Sequence, residues 1–169
     1  VLFRSALQAQ VGGAVVFLGV ERRPGYVEHG VAALARGHLL NLGLEGVVQQ
    51  IGRPQDVYDN PTNLFVAKFL GTPPINVFEG RIEDGKLYIG DEAVLNADGI
   101  DNQPVFIGVR PEGFIPDDNG ALTCELKNVE VMGRDVSLVS ENAASVNPIV
   151  RSIINSDDKY DAYAEFIKY

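Results

Sequence analysis

Arg110-Pro111-Glu112 is the polar cluster of this sequence whose residue types and spacing are most suggestive of chemistry. Pro111 fixes the direction of the chain, so Arg110 and Glu112 are placed to pair across it or to hold a neighbouring loop. Surface ion pairs are common and individually weak, which favours a structural corner over a contact with another domain or partner. Arg110 and Glu112 are therefore candidate contact residues, and no catalytic role is assigned to them.

The histidines and the single cysteine predict no metal centre. A zinc site needs three or four imidazole or thiolate ligands, and His29, His38 and the distant Cys124 do not supply them. Cys124 lies in an alternating apolar pattern, where a buried thiol behaves as a small apolar side chain. We predict packing for Cys124, because no credible base accompanies it as a nucleophile.

Adjacent carboxylates in turns make up the remaining titratable clusters. The pairs are Glu83-Asp84, Asp91-Glu92, Asp117-Asp118 and Asp157-Asp158. Asp117-Asp118-Asn119-Gly120 lacks the alternate-residue ligand spacing and distal Glu of a calcium loop. We predict that they solvate turns, and we assign no catalytic and no metal-binding residue.

Phosphate-binding loops are also missing from the sequence. No Gly-x-x-x-x-Gly-Lys-Ser/Thr motif occurs, and Gly12-Gly13 and Gly19 lack the lysine and hydroxyl residue that such a loop requires. The residues alone therefore predict no nucleotide-binding site.

Composition bounds the classes of partner. The 169 residues are 46% hydrophobic and 22% charged, as in an ordinary globular protein. A net charge of −9 repels polyanions, which argues against nucleic acid and against an anionic membrane surface. The longest apolar run, residues 11–20, is too short to cross a bilayer, so we expect no membrane insertion.

Residues 1–40 differ in composition from the rest of the chain. They carry four basic and two acidic residues, whereas residues 41–169 carry ten basic and 21 acidic ones. The first Asn, Ile and Lys are Asn41, Ile51 and Lys68, and these are the residue types with AT-rich codons. A targeting segment and a small domain are alternatives, but we interpret residues 1–40 as a leader that is chimeric or frame-shifted rather than native.

Two short helices are predicted by their boundary residues. Pro54 suits the first position of a helix that runs through Tyr58, and Asn60-Pro61 ends it. A second helix begins near Thr62 and ends before Gly71. Phe65 and Phe69 lie four residues apart in it and share one face.

Alternating apolar residues after position 75 predict a series of short strands. Residues 77–83 and 86–90 flank Asp84-Gly85, a pair that favours a tight hairpin turn. The alternation changes phase at Lys127-Asn128, which predicts a β-bulge. The other predicted strands are 105–110, 122–126, 129–131, 136–138, 149–154 and 163–167. This spacing is typical of a small sandwich or barrel.

Residues 46–80 resemble the end of the nucleotide-binding domain in ATP-binding subunits of carbohydrate ABC importers of the maltose and glycerol-phosphate type. The matching positions are Gln50, Gly52, Pro54, Tyr58, Pro61, Phe65, Val66, Ala67, Phe69, Gly71, Pro73, Asn76 and Gly80. Further on, residues 108–112 and 129–133 resemble two runs of that family's regulatory β domain.

The resemblance implies a mainly β fold. An OB-like, TOBE-type regulatory barrel would occupy residues 76–169, truncated at its C-terminus. Residues 41–75 would be the C-terminal remnant of an α/β ATPase domain, consisting of its terminal strand and two short helices. Phe65 and Phe69 would then have packed on the ATPase core, so we expect their face to be exposed and take them as further candidate contact residues.

For function, the resemblance implies a fragment of the ATP-hydrolysing subunit of a sugar-type import system. The fragment would contribute regulatory and dimer contacts rather than catalysis, and it would bind no cofactor itself. Full-length relatives bind ATP and Mg²⁺, pair with a second ATPase subunit and dock on transmembrane permease subunits at the cytoplasmic face of the membrane. The alternative is a free-standing OB-like module that binds a small effector or an oligosaccharide.

Overall fold

A computed structural model describes residues 8–11, 14–18, 31–36, 39–44, 47–155 and 165–169, with side chains from Val48 onward. The strands are β1 (Gln8–Val11), β2 (Ala14–Leu18), β3 (Val31–Arg36), β4 (Leu39–Leu44), β5 (Val47–Gly52), β6 (Asn76–Glu83), β7 (Lys86–Ile89), β8 (Glu92–Asn96), β9 (Gln103–Val109), β10 (Thr123–Met132), β11 (Asp135–Glu141), β12 (Ile149–Asn155) and β13 (Phe166–Lys168). The helices are α1 (Pro54–Asp59), α2 (Leu64–Phe69) and a 3₁₀ turn at Pro111–Gly113.

Three antiparallel sheets organise these strands. One sheet has the order β1-β2-β9-β6-β7-β8, a second has β12-β11-β10-β13, and a third has β3-β4-β5. Main-chain bonds from Glu79 N to Ala144 O and from Val146 N to Val77 O, both 2.8 Å, join the loop before β12 to β6. We call residues 76–155 and 165–169 the barrel, and residues 47–75 the helical segment.

The barrel is built around one apolar core. It contains fifteen buried residues of the part of the chain whose side chains are described: Phe78, Ile82, Leu87, Ile89, Ala97, Val105, Ile107, Phe114, Leu122, Cys124, Val136, Leu138, Val150, Ile154 and Ile167. Phe114 packs edge-on against both Phe78 and Tyr169. The prediction of a mainly β fold with an OB-like barrel is confirmed.

Both predicted helices are present. Pro54 is in the first turn of α1, as expected, because its missing N–H has no partner to lose there. Helix α2 begins later than predicted, after Asn63, whose Oδ1 accepts a hydrogen bond from Val66 N at 3.0 Å. Gly71, with a φ of +103°, turns the chain out of α2 in a conformation that L side chains rarely adopt.

Two local predictions in the barrel are confirmed. Asp84 and Gly85 have φ values of 49° and 73°, the positive pair that a tight hairpin between β6 and β7 requires. The register of β10 against β11 shifts between Leu126 and Asn128, which places the bulge at Lys127. The strand therefore bends where its apolar alternation changes phase.

Other boundaries differ from the prediction. Strand β8 was not predicted; it is an edge strand whose Ala93, Val94 and Leu95 do not alternate in polarity. Strand β9 begins at Gln103 and includes Pro104, which lies beyond the last pair of β2 with β9 and so removes no hydrogen bond from that ladder. Strand β13 is Phe166–Lys168, and residues 163 and 164 of the predicted last strand lie outside the described residues.

The four strands before residue 47 are described by their backbone alone. Strand β2 pairs antiparallel with β9, with Ala14 opposite Val109 and Leu18 opposite Val105. This pairing does not test the origin of residues 1–40, and the boundaries 1–40, 41–75 and 76–169 stay predictions. Within the described ranges, no helix has the length and apolarity needed to cross a bilayer.

Candidate functional site at the joint of helices and barrel

Arg110 lies where the helical segment meets the barrel. It follows β9 directly and precedes the 3₁₀ turn, and Pro111 turns the chain so that the Arg110 side chain reaches back to the helices. Only 8% of Arg110 is exposed. A buried cation of this kind is tolerated only when its donors are bonded, so its partners define the site.

All three hydrogen bonds recorded for Arg110 go to main-chain carbonyls near the C-terminal ends of the helices. Its Nη1 donates to Ala67 O at 2.9 Å and to Leu70 O at 2.6 Å, and its Nη2 donates to Tyr58 O at 2.9 Å. The last carbonyls of a helix have no partner within the helix and carry the negative end of its dipole. One guanidinium therefore serves the ends of both α1 and α2.

Tyr58 connects Arg110 to Glu112. The guanidinium carbon of Arg110 lies 3.8 Å from the centroid of the Tyr58 ring, and the Tyr58 hydroxyl donates to Glu112 Oε1 at 2.6 Å. Burial, reinforced by the bond to Glu112, raises the pKa of Tyr58 to about 12. Burial lowers the pKa of Arg110, while Tyr58 and Glu112 oppose that shift, and arginine remains charged in proteins.

The geometry therefore brings the predicted trio into contact with another part of the chain. Arg110 holds carbonyls of the helical segment, and Glu112 accepts from a tyrosine of the same segment. These contacts lie within the chain and do not test whether a partner protein touches Arg110 or Glu112.

Two further amides, Asn76 in the barrel and Gln50 in the helical segment, were not singled out by sequence reasoning. Asn76 is buried, donates to Arg151 O at 2.8 Å and accepts from Arg151 N at 2.9 Å, so its side chain pairs with β12 as a neighbouring strand would. Gln50 accepts from Thr62 N at 2.8 Å and donates to Asn60 O at 2.9 Å, which fixes the loop between the helices. Both matched the family pattern, but only their hydrogen-bond partners in the fold reveal a role.

Phe65 and Phe69 do not form a uniformly bare face. Their rings stack with centroids 6.4 Å apart, but Phe65 is half-buried against the small cluster of Val57 and Val66. Phe69 is 38% exposed, and Ile51 on β5 is 57% exposed. The helical segment thus presents apolar side chains to solvent, and the role of Phe65 and Phe69 as contact residues stays a prediction.

The remaining titratable groups have structural surroundings. Burial raises the pKa of the Cys124 thiol to about 11, which opposes formation of the thiolate. Among the described side chains, no three His, Cys, Asp or Glu residues are grouped to hold a metal ion. Both histidines and the pair Asp157-Asp158 lie outside the described residues.

Comparison with known protein families matches one stretch of this chain to an established domain type. Residues 76–114, which run from β6 through Arg110 and the 3₁₀ turn, match the CysA C-terminal regulatory domain. The match therefore includes the part of the barrel that holds the helical segment.

Curated relatives extend the similarity. The chain is 35% identical over 112 residues, 64% of its length and 32% of the relative's, to the sn-glycerol-3-phosphate import ATP-binding protein UgpC of Jannaschia sp. (strain CCS1). It is 32% identical over 133 residues, 69% of its length and 36% of the relative's, to the oligosaccharides import ATP-binding protein MsmX of Bacillus subtilis (strain 168). It is 38% identical over 97 residues, 53% of its length and 26% of the relative's, to the diacetylchitobiose uptake system ATP-binding protein MsiK of Streptomyces coelicolor.

The chain spans about a third of the length of the first two of these relatives. The resemblance inferred from residues 46–80, 108–112 and 129–133 is confirmed by these matches. Residues 76–114 are thus similar to the regulatory domain of the CysA C-terminal type, and the chain is homologous to the ATP-binding subunits of carbohydrate ABC importers.

Proposed function

We propose that this chain is the regulatory portion of an ATP-driven carbohydrate import subunit and contributes regulatory and dimer contacts rather than catalysis. The observation that carries the proposal is the match of residues 76–114 to a regulatory domain, within a barrel that has its own core. The names of the relatives, which refer to import of glycerol-3-phosphate and oligosaccharides, support a carbohydrate or sugar-phosphate system.

ATP and Mg²⁺ do not fit the residues of this chain. The sequence has no loop of the Gly-x-x-x-x-Gly-Lys-Ser/Thr type, whose main-chain N–H groups and lysine hold the phosphates of a nucleotide. We therefore propose that nucleotide binding and hydrolysis belong to other parts of the full-length subunit. Its transmembrane permease partners would place it at the cytoplasmic face of the membrane.

Isothermal titration calorimetry with ATP and Mg²⁺ tests the absence of catalysis. We expect no heat of binding from this chain, while the Bacillus subtilis relative MsmX, titrated in the same buffer as a positive control, should bind. Saturable binding of ATP to this chain would contradict the proposal.

Sedimentation equilibrium tests the dimer contacts. We expect a monomer–dimer equilibrium in the micromolar range, as for a contact that is one part of a larger interface. A strict monomer at about 100 μM, well above that range, would remove dimer contacts from the proposal. Saturable binding of maltose or a longer oligosaccharide to the monomer would instead support the alternative of a free-standing binding module.

A further inference from the structure

We propose that Arg110 of the barrel caps the C-terminal ends of both short helices. The helical segment stays folded only while the hydrogen bonds from Arg110 to the helix ends are present. The inference rests on the geometry of the described residues and not on the proposed transport function.

Helix length is the first step of the argument. Helices α1 and α2 have six residues each, whereas isolated helices shorter than about 12 residues are marginal in water. Their stability must therefore come from tertiary contacts. The buried apolar residues of the segment belong only to small clusters, Val57 with Val66, and Ala67 and Ile75 with Val77 of β6.

Charge is the second step. Helix α1 has no basic residue in its last turn, and the only one in the last turn of α2 is the exposed Lys68. Arg110 supplies a buried cation to the carbonyl ends of both helices from a position 40 or more residues away in sequence. Because three carbonyls share one guanidinium, its loss leaves acceptors at both helix ends without that donor.

The close packing around Arg110 is the third step. A Cβ built on Gly71 would lie 3.2 Å from Tyr58 Cε2 and 3.5 Å from Arg110 Nη1. The chain therefore leaves α2 against the guanidinium and the ring stacked on it. This arrangement joins the ends of α1 and α2 to the start of the 3₁₀ turn, and through it to the barrel.

Hydrogen exchange followed by mass spectrometry on the whole chain tests this capping role of Arg110. The probes in the helical segment are the amides of Val57, Asn60 and Ala67, which donate to main-chain carbonyls at 2.9–3.1 Å. The reference is β11, whose Val136 and Leu138 are in the core of the barrel. In Arg110→Met we expect exchange in residues 54–71 to accelerate about tenfold or more, with β11 unchanged.

Arg81→Met is the matched control. Arg81 also stacks on a tyrosine, at 4.7 Å from the Tyr88 centroid, and donates to the main-chain oxygen of Gly90, but it is half-exposed and bonds no helix end. We expect no change of exchange in residues 54–71 for this variant. Arg110→Lys keeps the positive charge but lacks the several N–H donors of the planar guanidinium, so it should accelerate hydrogen exchange in residues 54–71 to an intermediate extent.

Two outcomes would overturn the inference. Unchanged exchange in residues 54–71 of Arg110→Met would show that the helices do not depend on the guanidinium. An equal acceleration of hydrogen exchange in β11, or loss of the folded barrel, would show that Arg110 stabilises the whole protein rather than the helical segment alone. Arg110→Lys applies the same criteria if Arg110→Met cannot be purified.

Discussion

The barrel and the helical segment reach stability by different routes. The barrel encloses a continuous cluster of fifteen buried residues, whereas the buried residues assigned to the segment form a pair and a trio, and the trio includes Val77 of β6. Burial of apolar surface is the main favourable term in folding. The barrel buries enough apolar surface to form its own core, whereas the helical segment buries part of its apolar surface against the barrel. The comparison indicates that two regions of one chain can differ in how far their folding depends on each other.

The largest test of this comparison is Phe78→Ala in the barrel. Phe78 is fully buried and packs against Phe114 at 6.4 Å between ring centroids. We expect a loss of about 3–5 kcal/mol of unfolding free energy, measured by denaturant titration, because the cavity cannot fully collapse. Val131→Ala, at a position 71% exposed, is the control and should change the free energy by less than about 0.5 kcal/mol.

One substitution made in both regions compares them directly. Val150 and Val66 are both fully buried, the first in the barrel and the second in the helical segment. We expect Val150→Ala to lower the global unfolding free energy by about 1.5–3 kcal/mol. Val66→Ala should accelerate hydrogen exchange in residues 54–71 while leaving the denaturant midpoint of the barrel nearly unchanged. Equal effects on the midpoint would contradict the division into two regions.

Raised tyrosine pKa values give each region its own response to high pH. Burial raises the pKa of both Tyr58 and Tyr169 to about 12, with help from Glu112 at Tyr58 and against bonds to Ser152 and Ser140 at Tyr169. Since an unfolded tyrosine has a pKa near 10, these groups favour folding fully below about pH 10 and lose that contribution as the pH rises toward 12.

Tyrosinate absorbance of the wild type, Tyr58→Phe and Tyr169→Phe measures these ionisations. We expect each variant to lose one late-ionising tyrosine. Above pH 10, Tyr58→Phe should reduce the loss of protection from hydrogen exchange in residues 54–71. Tyr169→Phe should reduce the corresponding loss in the barrel. A Tyr58 that ionises near pH 10 in the folded chain would contradict the geometry of its bond to Glu112.

The reactivity of the Cys124 thiol reports on the barrel alone, and it is the quantity that Arg110→Met should change least. The thiol is buried in the core with a pKa raised to about 11, so we expect reaction with a disulfide reagent at pH 8 to be about a hundredfold or more slower than in denaturant. Arg110→Met should leave this rate unchanged if it loosens only the helical segment. Fast labelling of the native wild type would show that the barrel core is open to solvent.

Local sequence features predicted the elements whose causes are local. Pro54, Thr62 and Gly71 predicted the helix boundaries to within two residues, and Asp84-Gly85 predicted the hairpin. The bulge at Lys127 was visible because one extra residue reverses which side chains face the core. Strand β8 was not visible, since an edge strand with three consecutive apolar residues has no period to detect.

The candidate site was only half visible. The type and spacing of Arg110 and Glu112 drew attention, but nothing in the sequence names Ala67, Leu70 and Tyr58 as acceptors for Arg110. Those acceptors are main-chain carbonyls, which every residue possesses, so residue type carries no signal for them. The same reasoning applies to Asn76, which bonds the main chain of Arg151, 75 residues away.

The amino-acid sequence by itself determined the β-rich fold class, the two helices and the similarity to carbohydrate import subunits, because these follow from short-range patterns and from residue identities in register. Only the tertiary structure decided that one arginine of the barrel, Arg110, donates hydrogen bonds to the ends of both helices. It also decided that the helical segment packs against the barrel. Those contacts depend on which distant atoms folding brings within hydrogen-bonding distance, and that placement is a property of the whole chain.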